Sequence, residues 1–186
     1  MSALSQAGLA AHFTALNDAI GIPIFIYNVP GRTVANISVE TLGALAKLPR
    51  IVGLKDATGD LARVPLQRIA CGDDFIQLSG EDMTAVGFNA MGGVGCISVT
   101  ANLAPELCAK QQKATLSGDY ATALAIQQKL APLHDVLFKD TSPGPLKYAM
   151  SLMGLCSDEL RLPLVAPPAA VKARMREVLG TLGLIG

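Results

Sequence analysis

A lysine at the end of an apolar run is the first residue in this sequence that could do chemistry. Lys55 ends the run IVGLK at residues 51–55, which has the length and composition of a buried strand. Burial there disfavours the charged ammonium, and a free amine can attack a carbonyl carbon to form an imine. By position alone, a lysine that reaches solvent from a strand end is the more common case. The hypothesis that Lys55 is a nucleophile therefore needs further evidence from the residues around it.

Tyr27 ends an earlier apolar run in the same way. The run IFIYN at residues 24–28 predicts a strand, entered through GIP at residues 21–23. If the two strands are parallel neighbours, both side chains lie at one edge of the sheet, and a phenol beside an amine can relay protons. Taken alone, a tyrosine that packs its ring and donates its hydroxyl to the backbone is the more common case.

The elements that must position these residues alternate along the first half of the chain. Two further runs, at residues 75–79 and 95–99, also predict strands, and the segments between the strands have helical periodicity. This alternation predicts parallel strands with right-handed crossovers. After residue 99 only helices are expected. The predicted helices cover residues 9–19, 39–48, 61–70, 83–91, 104–116, 120–137, 143–153 and 169–182.

The number of predicted strands limits the fold class. A closed (β/α)₈ barrel needs eight strands and about 250 residues, whereas four strands are predicted here. The pattern therefore fits either an open α/β sheet, such as a binding protein of flavodoxin type, or part of a barrel. The first strand is not followed by a phosphate-binding glycine loop, which weakens the flavodoxin interpretation.

Several motifs in register resemble the dihydrodipicolinate synthase and N-acetylneuraminate lyase superfamily. The signatures of that superfamily have the forms YNxP and GxK(D/E)xxGD, separated by one crossover helix, and the resemblance runs along nearly the whole chain. The matching segments are YNVPGRT at residues 27–33, GLKDATGD at 53–60, LSGED at 78–82, GGVGCISVTAN at 92–102, PGPLK at 143–147 and LRLP at 160–163.

This resemblance implies a fold and a division of the chain. The fold class is α/β, a partial (β/α)₈ TIM barrel that holds the last four strands and is followed by a C-terminal helical extension. Residues 1–103 correspond to the C-terminal half of the barrel. Residues 104–186 correspond to the last barrel helix and the C-terminal helical region.

The resemblance also implies roles for five residues. Lys55 is similar to the amine that forms an imine with pyruvate, and Tyr27 to the phenol that moves protons during imine formation and cyclisation. Arg32 is similar to the arginine that holds the carboxylate of aspartate semialdehyde, a task that suits a guanidinium fork. Gly80 and Ile97 correspond to residues that line the pyruvate pocket, Ile97 through its backbone carbonyl.

The implied activity is that of a class I aldolase, a lyase that condenses pyruvate with aspartate 4-semialdehyde in lysine biosynthesis. The imine supplies the electron sink, so neither a metal nor an organic cofactor is expected. Two alternatives stay open. One is another pyruvate-dependent aldolase, such as a sialic acid or 2-keto-3-deoxy sugar acid lyase, against which Arg32 argues. The other is an inactive remnant that acts as an interaction module.

The chain departs from the resembled family at its start, where the family's N-terminal half has no counterpart. That half supplies a threonine pair, a second tyrosine given to a neighbouring subunit, and the ligands for feedback by lysine. Such feedback cannot be assigned here. We expect little synthase activity from the isolated chain, because half of a barrel exposes sheet edges and an apolar face. Robust turnover by purified monomer would contradict this.

Composition excludes some partners. Fifteen basic residues balance fifteen acidic ones, and aromatic residues are scarce, so a nucleic-acid or anionic-membrane surface is not expected. The first nine residues do not resemble a signal peptide, and no run is long enough to span a bilayer. We expect a cytoplasmic protein that forms a homo-oligomer, as the resembled family commonly does.

The remaining candidates are expected to be structural. The four cysteines, Cys71, Cys96, Cys108 and Cys156, lie among apolar neighbours and are predicted to be buried free thiols in a reducing compartment. His12 and His134 have no nucleophile to pair with. The acidic pair at residues 81–82 could suggest a metal site, but Asp82 also fits a helix N-cap, which we prefer.

Overall fold

The computed structural model describes residues 4–186 of the chain. By its internal contacts the chain divides into two compact units, Met1–Ile97 and Ser98–Gly186. Residues 1–3 lie outside the described residues. They belong to the predicted barrel half, and to the first nine residues, which were predicted not to form a signal peptide. No helix within residues 4–186 has both the length and the apolarity needed to cross a membrane.

The first unit contains a parallel sheet with the strand order β1-β2-β3. The strands are β1 (Ile24–Asn28), β2 (Ile51–Asp56) and β3 (Ile76–Ser79). Both pairings are parallel, which confirms the α/β class and three of the predicted strands. Because the strands are parallel, their carboxyl ends lie at one edge of the sheet, where α/β proteins place their sites.

The prediction of a fourth extended strand at residues 95–99 is wrong. Only an isolated parallel bridge forms, between Ser79 and Cys96. Within the second unit, the Ser98 hydroxyl accepts a hydrogen bond from the Ala101 backbone N–H at 2.8 Å. A 3₁₀ turn, Thr100–Asn102, follows. Local capping of this kind competes with strand pairing and ends the extended segment early.

Helices cover one face of this sheet, and the core lies between them and the strands. Its buried side chains include Ile26 and Leu54 from the strands and Leu42 and Leu45 from a helix. The short helix after β1 was not predicted. The helices of the first unit are α1 (Gln6–Ala19), α2 (Pro30–Thr33), α3 (Val39–Leu45), α4 (Arg63–Cys71) and α5 (Ala85–Ala90), with a 3₁₀ turn at Asp82–Thr84.

The ends of these helices follow from local chemistry. The Ser38 side chain accepts a hydrogen bond from the Thr41 N–H, which confirms the predicted N-cap of α3. Helix α3 ends earlier than predicted, because Pro49 restricts the residue before it and the chain must turn into β2. The predicted cap at Asp82 is wrong. The Glu81 side chain accepts from the Met83 N–H instead, and Asp82 lies in the first turn.

The second unit is helical and has its own core. The predicted span of α7, including the internal Pro132, is confirmed. Leu130 and Leu133 of that helix are fully buried, and burial of each leucine contributes about 1.5–3 kcal/mol. His134 is also buried, with Nδ1 lying 2.7 Å from the Thr100 hydroxyl oxygen. The helices of this unit are α6 (Pro105–Leu116), α7 (Tyr120–Leu137), α8 (Gly144–Leu152) and α9 (Ala169–Thr181).

The prediction that all four cysteines are buried is wrong, although all four are free thiols. Only Cys108 is buried; Cys71 and Cys96 are partly buried and Cys156 is exposed. Cys156 follows the end of α8, where the chain runs along the surface. Burial raises the pKa of the Cys71 thiol to about 11, because a thiolate is poorly solvated there.

The cysteines should therefore differ in reactivity. At pH 8 we expect iodoacetamide to modify Cys156 at least about a hundredfold faster than Cys71, because the thiolate is the nucleophile. The Cys71 rate should rise with pH up to about 11. An unfolded thiol ionises above about pH 8.5, so this residue also lowers the free energy of unfolding as pH rises beyond that point. Timed alkylation with peptide mapping measures both rates, and equal rates would contradict the assignment.

Val34 has a strained backbone. Its φ is 53°, and within the part of the chain that the structure describes it is the one non-glycine residue with a positive φ. This conformation is costly for a β-branched residue and easier for asparagine. Because Val34 is exposed, Val34→Asn should raise the free energy of unfolding by about 1 kcal/mol, measured by urea denaturation. Val165 is exposed without a positive φ, so Val165→Asn should give no gain; equal gains would contradict this.

Candidate active site

Lys55 and Tyr27 face each other at the carboxyl edge of the sheet. They are register partners in the β1–β2 pairing. The Lys55 Nζ lies 4.0 Å from the centroid of the Tyr27 ring, within the range of a cation–π contact. Lys55 is partly buried, whereas Tyr27 is 47% exposed. The predicted neighbourhood of the two side chains is confirmed, and both are accessible to a small molecule at this edge.

Gly80 leaves room for the lysine side chain. A Cβ atom at this position would lie 3.0 Å from Lys55 Cε and 2.9 Å from Ala57 Cβ. The Gly80 N–H donates to the Asp56 carbonyl oxygen at 2.7 Å, which fixes the chain at the end of β3. Any larger residue would have to displace Lys55, so the glycine holds a specific space open beside the amine.

The segment after α5 approaches the same edge through its backbone. The Ile97 N–H donates to the Ser79 carbonyl oxygen at 2.8 Å, and the Ser79 N–H donates to the Gly95 carbonyl oxygen at the same distance. A Cβ atom at Gly95 would lie 3.1 Å from Leu78 Cδ2, so the close approach depends on glycine. Ile97 is 45% exposed. The segment places Ile97 next to the end of β3.

Arg32 lies in α2, directly after β1, and its side chain is exposed. Within residues 4–186 its guanidinium makes no ion pair and no side-chain hydrogen bond. The structure therefore places Arg32 in the short helix that follows the Tyr27 strand. A guanidinium without a protein partner is available to a carboxylate ligand.

Two buried polar residues behind the site were given no role by the sequence. Asn28 and Asp56 follow Tyr27 and Lys55 directly and point to the opposite face of the sheet, where they are 2% and 3% exposed. The Asp56 carboxylate accepts hydrogen bonds from Gln67 at 2.8 Å and from the Thr58 N–H at 2.9 Å. The signal was present in the sequence, because each residue occupies a core-facing position of its strand.

No group of three His, Cys, Asp or Glu residues within residues 4–186 is arranged to hold a metal ion.

The fold and the site define an α/β protein of parallel strands with a lysine and a tyrosine paired at the carboxyl edge. The chain belongs to the dihydrodipicolinate synthetase family, whose sequence model matches residues 2–181.

Curated relatives named 4-hydroxy-tetrahydrodipicolinate synthase support this assignment. The proteins of Cereibacter sphaeroides and Ruegeria pomeroyi are each 60% identical over 181 residues, which is 97% of this chain and 62% of theirs. This chain therefore spans about three fifths of the length of these relatives.

Solved structures give the same result. The dihydrodipicolinate synthase of Aquifex aeolicus superposes with a TM-score of 0.95 at 37% identity, over 97% of this chain and 62% of that one. The enzyme of Cyanidioschyzon merolae, solved with lysine bound, has a TM-score of 0.95 at 31% identity, over 100% of this chain and 63% of that one.

Proposed function

We propose that this chain carries the imine-forming lysine of a lyase that condenses pyruvate with aspartate 4-semialdehyde to 4-hydroxy-tetrahydrodipicolinate, a step in lysine biosynthesis. The observation that carries the proposal is the contact between Lys55 and Tyr27 at the carboxyl edge, with the Lys55 nitrogen 4.0 Å from the ring centroid. Membership of the family and the names of its relatives support the choice of substrates.

The proposed reaction assigns each step to a residue. The Lys55 amine attacks the keto carbon of pyruvate, water leaves, and an imine forms. Loss of a proton from the methyl carbon gives an enamine, which attacks the aldehyde carbon and turns its oxygen into a hydroxyl. The amino group of the semialdehyde then replaces Lys55 at the imine carbon and closes the ring. Tyr27 moves protons in the first and last steps.

Three further residues complete the proposed site. Arg32 holds the carboxylate of the semialdehyde, because its guanidinium is exposed and has no partner within residues 4–186. Gly80 gives the lysine its space, and Ile97 lines the pyruvate pocket through its backbone carbonyl. The imine supplies the electron sink, so the reaction runs without a metal or an organic cofactor.

The fold is proposed to be part of a (β/α)₈ barrel. The parallel order of the three strands and the parallel bridge to Cys96 support this. So does the apolar face that carries Lys55, where Phe25 is 42% and Ile76 is 38% exposed. We also propose that residues 1–103 form the barrel part and residues 104–186 the last barrel helix and the helical region.

A homo-oligomer in the cytoplasm is the proposed state. Leu66 and Ile69, one turn apart on α4, are 53% and 82% exposed, a pattern that favours a protein partner. The four free thiols favour a reducing compartment. Sedimentation velocity measures the assembly state, and a monomer at micromolar concentration would contradict it.

Borohydride trapping tests the proposed function. The protein is incubated with pyruvate and reduced, and the adduct is mapped by mass spectrometry. We expect a single pyruvyl adduct on Lys55, because reduction converts the imine into a stable secondary amine. An unmodified Lys55 in folded protein would contradict the proposal.

A further inference from the structure

A partly buried arginine of α4, Arg63, donates a hydrogen bond to the segment that carries Arg32. We propose that Arg63 is a positioning residue, which fixes residues 29–38, here named the Arg32 segment, so that Arg32 meets the carboxylate of the second substrate. This inference rests on the proposed function, and it assigns a task to a residue that touches neither substrate.

Arg63 reaches the Arg32 segment directly. Its Nη2 donates to the Ile37 carbonyl oxygen at 2.7 Å. Its Nε lies 3.5 Å from Asp56 Oδ2, and the two side chains are only 14% and 2% exposed. Because the guanidinium is partly buried beside a carboxylate and bonded to a carbonyl oxygen, its direction is restricted. Arg63 thus links the residue that follows Lys55 to the far end of the Arg32 segment.

Asn28 holds the same residue of the segment from the other strand. The Asn28 Oδ1 accepts from the Ile37 N–H at 3.2 Å, and its Nδ2 donates to Asn36 Oδ1 at 2.9 Å. Both backbone polar groups of Ile37 are therefore bound by side chains, the N–H by Asn28 and the carbonyl by Arg63. Ile37 itself is 4% exposed and packs in the core of the first unit.

The near end of the segment is also restricted. It leaves β1 at Val29, and the Val34 N–H donates to the Pro30 carbonyl oxygen at 3.0 Å, which closes the turn with Val34 at a positive φ. Arg32 lies inside this turn, between Pro30 and Val34. The protein thus holds the backbone of Arg32 while its guanidinium has no protein partner within residues 4–186. A strained turn kept in place by its surroundings is typical of ligand-binding loops.

Side chains on the two faces of the strands have different roles. Tyr27 and Lys55 point to the site, whereas Asn28 and Asp56, the next residue of each strand, point to the network that holds the Arg32 segment. Loss of Arg63 should therefore affect the second substrate, which Arg32 binds, and leave imine formation at Lys55 unchanged.

A single-turnover form of the trapping experiment separates the two steps. The Lys55 imine is formed with pyruvate, aspartate semialdehyde is added, and borohydride then traps the imine that remains. In Arg63→Met, the semialdehyde concentration that halves the trapped adduct should rise about tenfold, as expected for one lost charge-assisted hydrogen bond. The pyruvate concentration that gives half-maximal trapping should not change.

Two variants serve as controls. Arg63→Lys keeps a charged donor near Ile37 and should recover most of the loss, to within about threefold of the wild type. Arg68 lies on the same helix and also donates to backbone carbonyl oxygens, of Asp73 at 2.5 Å and of Gly92 at 2.7 Å, but not within the Arg32 segment. Arg68→Met should therefore leave the semialdehyde dependence unchanged. An equal shift in both methionine variants would overturn the proposal.

Trypsin provides a readout that needs no second substrate, because it cleaves after Arg32. Native Arg63→Met protein should be cut there about tenfold faster than wild type, whereas Arg68→Met should not. The exposed Asn36 offers a variant with little risk to folding, and Asn36→Ala should also speed this cleavage. Unchanged cleavage in Arg63→Met overturns the proposal. If pyruvate is trapped in wild type but the semialdehyde removes no adduct, this chain does not carry out the proposed condensation, and cleavage alone decides the role of Arg63.

Discussion

Lys55→Ala protein treated with pyruvate and borohydride is expected to carry no pyruvyl adduct. Of the groups at this edge of the sheet, the Lys55 amine is the nucleophile that can form an imine, and it lies against Tyr27. The loss should be complete, as measured by intact-mass spectrometry of folded protein.

The matched control is an exposed lysine of the same unit. Lys47 follows α3 and is exposed, so Lys47→Ala should retain the full adduct. Far-UV circular dichroism establishes that both variants are folded. If Lys55→Ala kept the adduct, the nucleophile would be another residue and the proposed site would be wrong.

Gly80→Ala is expected to slow trapping of pyruvate by about a hundredfold, because an ångström of displacement at a reacting group can cost that much. The added methyl would lie 2.9 Å from Ala57 Cβ, which is fixed to the backbone, and 3.0 Å from Lys55 Cε, which can move. The backbone at residue 80 must shift away from Ala57, and the lysine side chain must also move, so its nitrogen leaves the position beside the Tyr27 ring. Adduct formation against time at saturating pyruvate measures the rate.

Gly31→Ala is the control that distinguishes the loss of space beside Lys55 from a general effect of replacing glycine by alanine on the trapping rate. A Cβ atom at Gly31 would meet nothing within 4 Å, so Gly31→Ala should trap pyruvate at the wild-type rate. Gly80→Ala that formed the adduct as fast as Gly31→Ala would show that the space beside Lys55 is not needed.

Local sequence patterns predicted the elements well where they depend on nearby residues. The span of α7, Tyr120–Leu137, follows from helical periodicity, and the three strands of the sheet follow from short apolar runs. The prediction of an extended strand at residues 95–99 was wrong, because the hydrogen bond that the Ser98 hydroxyl accepts locally competes with strand pairing. The short helix α2 was not predicted, because a single helical turn has no periodicity to detect.

The candidate site was predicted in part. Lys55 and Tyr27 were found from their places at strand ends and from the motifs around them. Asn28, Asp56 and Arg63 were not assigned a task, because their partners are distant in sequence. The bond from Arg63 to Ile37 spans 26 residues. No local sequence pattern encodes which carbonyl oxygen a side chain such as that of Arg63 will bond to.

The amino-acid sequence by itself determined the α/β class, the alternation of strands and helices in the first unit, and the place of Lys55 at the end of β2, because apolar periodicity and turn residues act over short distances. Tertiary structure alone decided that Lys55 Nζ lies 4.0 Å from the centre of the Tyr27 ring, that Gly80 leaves space beside Lys55, and that Arg63 donates a hydrogen bond to Ile37. These features depend on strand register and on contacts between distant elements, which form only when the chain packs.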